Sequence, residues 1–441
     1  MFRNIRRSGK NLLSPDAWKI RLLFWFGAVL VGVIASAFAI VSERADHGFY
    51  YLVGISPYLP FIVCPLGLVL VSWLTQKFFP GSQGSGIPQS IAALQMVEHR
   101  SRTAVLSFRI AIGKILLTLL GLLSGASIGR EGPTVHIGAA VMFSLGKFAR
   151  FPHHYMDKGL ILAGGAAGIA AAFNTPLAGI LFAVEEMGRS FEERTSGVLI
   201  TGVFIAGITA IYIQGNYNYF GSTDATLATS QYVLPILVCG IAGGLLGGLF
   251  STALIQGSRL LAPFAKRRPA VLALICGLGI ATVGLLSDST AYGTGYDQAR
   301  AIITGESGMP NNYPFMKMLA TIFSYLSGIP GGIFAPSLAT GAGLGAEIAG
   351  WLPSLPVSAI IILGMVGYFT GVVQTPITAF VIVMEMTDNQ ELLLPLMATA
   401  FVAYATSRLV CPSPIYRELA ASFLPVTVNP EKTDDTPETG R

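Results

Sequence analysis

Long stretches without a charged side chain recur along nearly the whole chain and limit what it can fold into. About 20 apolar residues are enough to cross a bilayer as a helix. The stretches are residues 22–42, 48–76, 159–184, 195–223, 225–258, 269–287, 318–346, 348–384 and 392–407. Only 12% of the residues are charged and 52% are hydrophobic, whereas soluble domains carry about a quarter charged residues. This composition predicts an integral membrane protein and excludes a soluble enzyme, a disordered chain and a disulfide-stapled secreted fold.

Breaks and charges within these stretches predict how the chain crosses the membrane. Several stretches are too long for one helix and contain Gly and Pro, which predicts helical hairpins and half-spanning helices. Residues 104–127 are apolar but include Arg109 and Lys114, so we expect this segment to face protein or water rather than lipid. Residues 1–20 are rich in Arg and Lys, which predicts a cytoplasmic N-terminus. Residues 425–441 are polar and are expected to form a disordered tail.

The chain repeats part of its own sequence about 200 residues further on. The matching positions of the main block are Ser124-Gly125, Gly129, Pro133 and Gly138 against Ser327-Gly328, Gly332, Pro336 and Gly341. A second block matches Gly164, Thr175, Pro176 and Glu185 with Gly364, Thr375, Pro376 and Glu385, and Gly84-Ser85-Gly86 has an echo in Gly293-Thr294-Gly295. The order is preserved, which predicts two membrane halves, residues 21–220 and 221–424. In repeat-built transporters the binding site lies between the halves, near the bilayer midplane.

Three glycine-rich segments are the strongest candidates for a binding site. They are Gly84-Ser85-Gly86-Ile87-Pro88, Gly129-Arg130-Glu131-Gly132-Pro133 and Gly331-Gly332-Ile333-Phe334-Ala335-Pro336. Because proline is favoured at a helix start, each segment predicts a loop leading into a helix N-terminus. Unpaired amides and the helix dipole favour an anion there, and the Ser85 hydroxyl is a further donor. Close helix packing is the alternative for any one segment, but three together favour an anion site that binds weakly enough to release.

Acidic side chains inside the apolar stretches are candidates for function, because ionisable groups are costly to bury in a membrane. Glu131 lies within an anion-binding segment, so its carboxylate would compete with an anion for the same donors and leave when protonated. A salt bridge to the adjacent Arg130 is the alternative. Glu185 and Glu186 end one stretch, and their alternative is a solvated helix end. Only Glu185 has an acidic counterpart in the repeat, so Glu186 is the better functional candidate.

No residue pattern indicates enzyme, metal or cofactor chemistry. The five histidines lack metal-ligand spacing, the four cysteines are widely separated, and no serine nucleophile arrangement is evident. We therefore predict no catalytic residue, no metal, no cofactor and no nucleic-acid partner. An intramembrane hydrolase stays a formal alternative that lacks a recognisable nucleophile.

The three glycine-rich segments resemble the signature segments of the CLC chloride channel and transporter family. The segment from Asn174-Thr175-Pro176 to Glu186, and Tyr416 near the C-terminus, resemble it too, and the similarity spans roughly residues 20–425 in family order. This resemblance implies an all-α polytopic membrane protein, built from two inverted repeats of tilted and half-spanning helices. It also implies a homodimer with one anion path in each subunit.

By motif, the resemblance also implies residue roles. The implied chloride ligands are the hydroxyls of Ser85 and Tyr416 and the backbone amides of Ile333 and Phe334. Glu131 would be the external gating glutamate, and Glu186 the internal proton-transfer glutamate that marks many exchangers. Serine at position 85, rather than proline, goes with a preference for chloride over nitrate.

The predicted function is proton-coupled chloride antiport across a bacterial inner membrane, with both termini cytoplasmic. The expected partners are chloride, protons, lipid and a second subunit. A passive chloride channel of the same fold is the alternative, although channels typically lack an acid at the Glu186 position. Three residues depart from the family pattern: Gln89 and Ile91 stand where well-known exchangers have acids, and His136 replaces a commoner glutamine.

Overall fold

The computed structural model describes residues 15–147, 153–188, 193–215, 219–221, 223–306 and 308–424. Within these ranges the secondary structure is helical, with two isolated β-bridges and no extended strand. The predictions for the basic segment before residue 15 and for the tail after residue 424 lie outside the described residues.

The helices follow the apolar stretches but are more numerous. Before residue 215 they are α1 (Pro15–Ile55), α2 (Pro60–Phe78), α3 (Ile87–Gln95), α4 (His99–Val105), α5 (Phe108–Leu123), α6 (Glu131–Gly146), α7 (His153–Phe173), α8 (Pro176–Phe182), a π-helix (Ala183–Gly188) and α9 (Glu193–Gln214). After it they are α10 (Val233–Arg267), α11 (Pro269–Leu286), α12 (Tyr296–Thr304), α13 (Tyr313–Leu326), α14 (Phe334–Trp351), α15 (Val357–Val373), α16 (Pro376–Thr387), α17 (Leu393–Val410) and α18 (Ile415–Ala420). Short 3₁₀ turns lie at Thr229–Gln231 and Ala421–Phe423.

Six helical segments in the described part of the chain are long and apolar enough to cross a membrane. They are Arg21–Ile55, Pro60–Phe78, His99–Leu123, Val233–Arg267, Pro269–Leu286 and Leu393–Val410. Shorter apolar helices lie at Leu199–Gln214, Val357–Val373 and Pro376–Thr387. The mixture of full-length and shorter helices agrees with the predicted integral membrane protein.

Helix boundaries differ from the charge-free stretches most clearly in α1, and several of the long stretches break as predicted. The first two stretches were separated at a charged cluster, but α1 continues through that cluster to Ile55. It can do so because Asp46 is buried and accepts hydrogen bonds from the backbone and hydroxyl of Thr294 at 3.1 and 3.0 Å. The stretch 318–346 does break between Leu326 and Phe334, and 348–384 breaks between α15 and α16.

Repeat-related positions share backbone geometry. Gly125 and Gly328 have φ of +78° and +79°, and Asn174 and its counterpart Gln374 have φ of 58° and 57°. The helix crossings match as well. The Gly138 backbone meets that of Gly164 where α6 crosses α7, and Gly341 meets Gly364 where α14 crosses α15. Such equivalence supports the sequence repeat, while the boundary proposed at residues 220 and 221 stays a prediction.

Candidate functional site

The three glycine-rich segments meet through backbone hydrogen bonds. Gly129 and Gly332 each donate to the carbonyl of the other at 2.7 Å. The Gly84 amide donates to the Ile329 carbonyl at 3.0 Å, and the Gly331 amide donates to the Gly84 carbonyl at 3.2 Å. Each segment leads into a helix, as the sequence predicts, and these bonds bring together the starts of α3, α6 and α14. Several unpaired helix-terminal amides therefore lie in one region.

Two buried hydroxyl groups lie close together in this region, and neither bonds to the backbone. They belong to Ser85, just before α3, and to Tyr416 on α18, and both side chains are fully buried. The Tyr416 ring is 5.8 Å from the Phe334 ring, measured between centroids, and Ile333 and Phe334 are also buried. Because buried hydroxyls need polar partners, two that lie together beside helix N-termini are suited to hold an anion.

Glu131 begins α6, and its side chain is completely buried. Its Oε1 accepts a hydrogen bond from the hydroxyl of Tyr296. The backbone amides of Arg130, Ala335 and Glu131 itself lie close enough to stabilise the negative charge of the carboxylate. The carboxylate thus occupies an amide-lined position between the N-terminal ends of α6 and α14, where an anion would also be favoured.

Arg130, the alternative partner of Glu131, lies within ion-pair distance of the carboxylate but hydrogen-bonds to another residue. Its Nε lies 3.9 Å from Glu131 Oε1, beyond hydrogen-bond distance, while its Nη2 donates to the Tyr219 hydroxyl at 3.1 Å. Its guanidinium carbon lies 5.7 and 5.6 Å from the ring centroids of Tyr219 and Tyr296. Arg130 therefore acts on the carboxylate electrostatically and does not draw it out of the amide-lined position.

Glu185 and Glu385 form a reciprocal pair of helix caps. The Glu185 carboxylate accepts from first-turn amides of α16, including Thr378 N at 2.6 Å. The Glu385 carboxylate accepts from first-turn amides of α8, including Ala178 N at 2.8 Å. A carboxylate at a helix N-terminus is stabilising, so Glu185 has a structural partner and is more than a solvated helix end.

Glu186 has different surroundings from its neighbour. It lies on the π-helix after α8 and is only 2% exposed, which excludes a solvated helix end for this residue. The charges of Glu186 and of Glu131 both act on the Tyr416 phenol. Tyr416 therefore lies within electrostatic range of both candidate acids.

The residues that depart from the family pattern are buried, and the polar ones bond to backbone. The Gln89 amide donates to the carbonyls of residues 81 and 83, at 3.1 and 2.7 Å. Ile91 is part of the main hydrophobic core, and His136 Nε2 lies 2.8 Å from the Val105 carbonyl. Lys114 is fully buried and donates to the Gly84 carbonyl at 3.1 Å, so it faces protein. Arg109 of the same segment is exposed and donates to the Phe78 carbonyl, and Ile112 is exposed too, so the segment as a whole does not face protein alone.

Two cavities approach the site. One of about 180 Å³ is lined by Arg130, Tyr219 and Tyr296 together with charged residues of α1 and α12. The other, of about 200 Å³, is lined by Ser85, Gln89 and residues of α10 and α13. Within the described ranges, no group of three or more His, Cys, Asp or Glu side chains is arranged to hold a metal ion.

Sequence reasoning missed Tyr219 and Tyr296, which lie beside Glu131. The signal for Tyr296 was present, since it directly follows Gly293-Thr294-Gly295, the echo of the segment that contains Ser85. The backbone bears out this echo, because Gly293 and Gly295 have φ of +62° and +85°, against +66° and +100° for Gly84 and Gly86. No local signal marked Tyr219.

Comparisons with known proteins agree with this architecture. A sequence profile of the voltage gated chloride channel family matches residues 67–408. The H(+)/Cl(−) exchange transporter ClcA of Cronobacter sakazakii is 30% identical over 447 residues, which cover 96% of this chain and 94% of the relative. ClcA of Yersinia pseudotuberculosis is 32% identical over 468 residues, covering 98% and 95%.

Solved structures with the same fold are more distant in sequence. A slow cyanobacterial Cl⁻/H⁺ antiporter superposes with a TM-score of 0.77 at 24% identity, covering 93% of this chain and 98% of the other. A CLC-type fluoride/proton antiporter gives 0.75 at 24% identity, covering 90% and 97%. The predicted all-α polytopic fold is confirmed.

Proposed function

Because this chain belongs to the voltage gated chloride channel (CLC) family, we propose that it is a proton-coupled chloride antiporter. Relatives named H(+)/Cl(−) exchange transporters support chloride and protons as its substrates, and transport rather than catalysis as its activity. The proposal includes a homodimer embedded in the lipid of a bacterial inner membrane. The proposal also places both termini in the cytoplasm, which the basic residues ahead of the first apolar stretch favour for the N-terminus.

The proposed chloride site combines hydroxyl and amide donors. Its ligands are the hydroxyls of Ser85 and Tyr416 and the backbone amides of Ile333 and Phe334. The two hydroxyls are buried and lie close together, and the amides belong to the start of α14. Neutral donors of this kind stabilise chloride without a formal positive charge, so the ion can also leave.

The proposed gate is Glu131, and the position of its buried carboxylate carries the proposal. When ionised, the carboxylate occupies an amide-lined position next to the proposed chloride ligands, formed by the amides of Arg130, Glu131 and Ala335, so it blocks the anion path by charge and by space. When protonated, it has lost that charge and vacates the position for chloride. Glu186 would then pass the proton toward the opposite side of the membrane by a route separate from that of the anion.

Reversal potentials of reconstituted protein under opposed pH and chloride gradients test this function. Glu131→Gln is expected to conduct chloride but to lose proton movement, because the glutamine amide cannot take up and release a proton as the carboxylate does. Glu186→Gln is expected to keep chloride flux and to lose coupled proton transfer. Glu347→Gln removes a partly exposed carboxylate farther along α14 and is the matched control, with both fluxes retained.

The outcomes separate the candidate functions. A wild-type current that reverses at the chloride equilibrium potential without proton flux would establish a passive channel instead. Glu131→Gln protein that still drove protons uphill on a chloride gradient would refute the gate.

A further inference from the structure

Tyr296 links α12 to the candidate gate. It is the first residue of α12, and its hydroxyl donates a hydrogen bond to Oε1 of Glu131, 165 positions away in sequence. The relatives and the motif resemblance assign no role to this side chain. The bond therefore connects the start of α6 with an element outside the three glycine-rich segments.

The backbone that presents Tyr296 is held in place. Gly293 and Gly295 before it both adopt positive φ, a conformation that favours glycine. Asp46 accepts hydrogen bonds from the amide and hydroxyl of Thr294, and Lys317 Nζ donates to the Gly293 carbonyl at 2.7 Å. These contacts connect the segment to α1 and α13, so the phenol is carried by a restrained backbone.

The Tyr296 ring lies between the buried carboxylate and a cavity. It lines the cavity of about 180 Å³, whereas Glu131 is completely buried. The Tyr219 ring packs against it with centroids 4.1 Å apart, and the Arg130 guanidinium lies over both rings. A carboxylate that moved toward this cavity would have to break its bond with Tyr296 and pass the two rings.

We propose that Tyr296 is a positioning residue, which holds the ionised Glu131 carboxylate in its amide-lined position and sets how readily it leaves. This inference rests on the gating role proposed for Glu131. A donated hydrogen bond stabilises an ionised carboxylate more than a protonated one. Without it, the blocked and ionised state loses population to the protonated, open state.

Other charged and titratable groups near this bond stay unchanged when Tyr296 becomes Phe. They are Arg130 and Tyr219 beside it, Tyr416 from α18, Glu43, Asp46 and His47 from α1, and Asp297 and Arg300 from α12. A change in pH dependence on Tyr296→Phe therefore reports the lost hydroxyl rather than a second titrating group.

The test is the pH dependence of chloride flux through reconstituted Tyr296→Phe protein. A hydrogen bond to a charged group changes the ratio of two populations by about ten- to a hundredfold, and one pH unit corresponds to a tenfold change in the ratio of ionised to protonated carboxylate. We therefore expect flux at neutral pH to rise by about tenfold or more and the pH of half-maximal flux to move upward by about one to two units. In a Glu131→Gln background the same substitution should have no further effect, because the ionised partner is gone.

Tyr50→Phe is the matched control. The Tyr50 hydroxyl bonds to the Tyr292 carbonyl and accepts from Gln298 of α12, without contacting Glu131. Its pH profile should equal that of the wild type. The inference is overturned if Tyr296→Phe has the wild-type profile, if Tyr50→Phe produces the same shift, or if the shift persists in Glu131→Gln. Wild-type protein without proton coupling would instead refute the proposed function.

Discussion

A single methyl group at Gly341 is expected to displace the helix that carries two of the proposed chloride ligands. Gly341 lies where α14 crosses α15, and a β-carbon there would lie 2.7 Å from the Met365 Cα and 3.0 Å from the Gly364 carbonyl oxygen. Carbon atoms in contact prefer about 3.5 Å or more. The two helices must therefore separate by about 0.8 Å, given that preferred contact distance.

The cost of Gly341→Ala follows from this overlap. Overpacking costs about 1–3 kcal/mol, and the better helix propensity of alanine offsets up to about 1 kcal/mol of it. We expect a net loss of up to about 2 kcal/mol. The start of α14 is two helical turns away, about 10 Å along the axis. A displacement of the helix therefore reaches the Ile333 and Phe334 amides, and chloride affinity should fall several-fold.

Thermal unfolding of the solubilised protein and calorimetric titration with chloride measure the two effects. Gly350→Ala on the same helix is the control, because an added β-carbon there meets no atom within 4 Å. It should stabilise the protein by about 0.5–1 kcal/mol through helix propensity alone and leave chloride binding unchanged. If Gly341→Ala proved as stable as Gly350→Ala and bound chloride as the wild type does, the reasoning from this crossing would be wrong.

Two further substitutions test the repeat and the reciprocal caps, with thermal unfolding as the measurement. Alanine at Gly125 or Gly328 should cost about 1–2 kcal/mol, because both glycines have positive φ. Gly125→Ala should cost more, since its β-carbon would overlap the Phe49 ring whereas that of Gly328 meets open space; equal effects would contradict this. Glu385→Gln should cost about 1 kcal/mol by removing the charge from the cap of α8. A Glu385→Gln protein that unfolds at the wild-type temperature would argue against a stabilising cap.

Much of the site was predictable because its chemistry is local. A glycine-rich loop followed by proline predicts a helix start from a few adjacent residues, and α3, α6 and α14 all begin at such segments. The burial of Lys114 and the break within residues 318–346 followed from charge and glycine placement in the same way. Each of these features depends on neighbours in the chain.

Contacts between distant elements were not predictable. The bond from Tyr296 to Glu131 joins residues 165 positions apart, and the Glu185 cap reaches 192 residues to α16. The continuation of α1 past a charged cluster also escaped prediction, because the partner of Asp46 lies 248 residues away. Such pairings depend on how the helices cross, and the local sequence does not predict these crossings.

Composition and short motifs are enough to predict that this chain enters a membrane, where its helices start and which side chains offer donors to an anion. Those properties follow from hydrophobicity and from unpaired amides within short segments. Which carboxylate lies among the amides, and which ones cap a helix of the other repeat, depends on the three-dimensional packing. The reason is that all glutamate side chains have much the same intrinsic chemistry. They differ in their partners, which come from helices far apart in sequence that pack together.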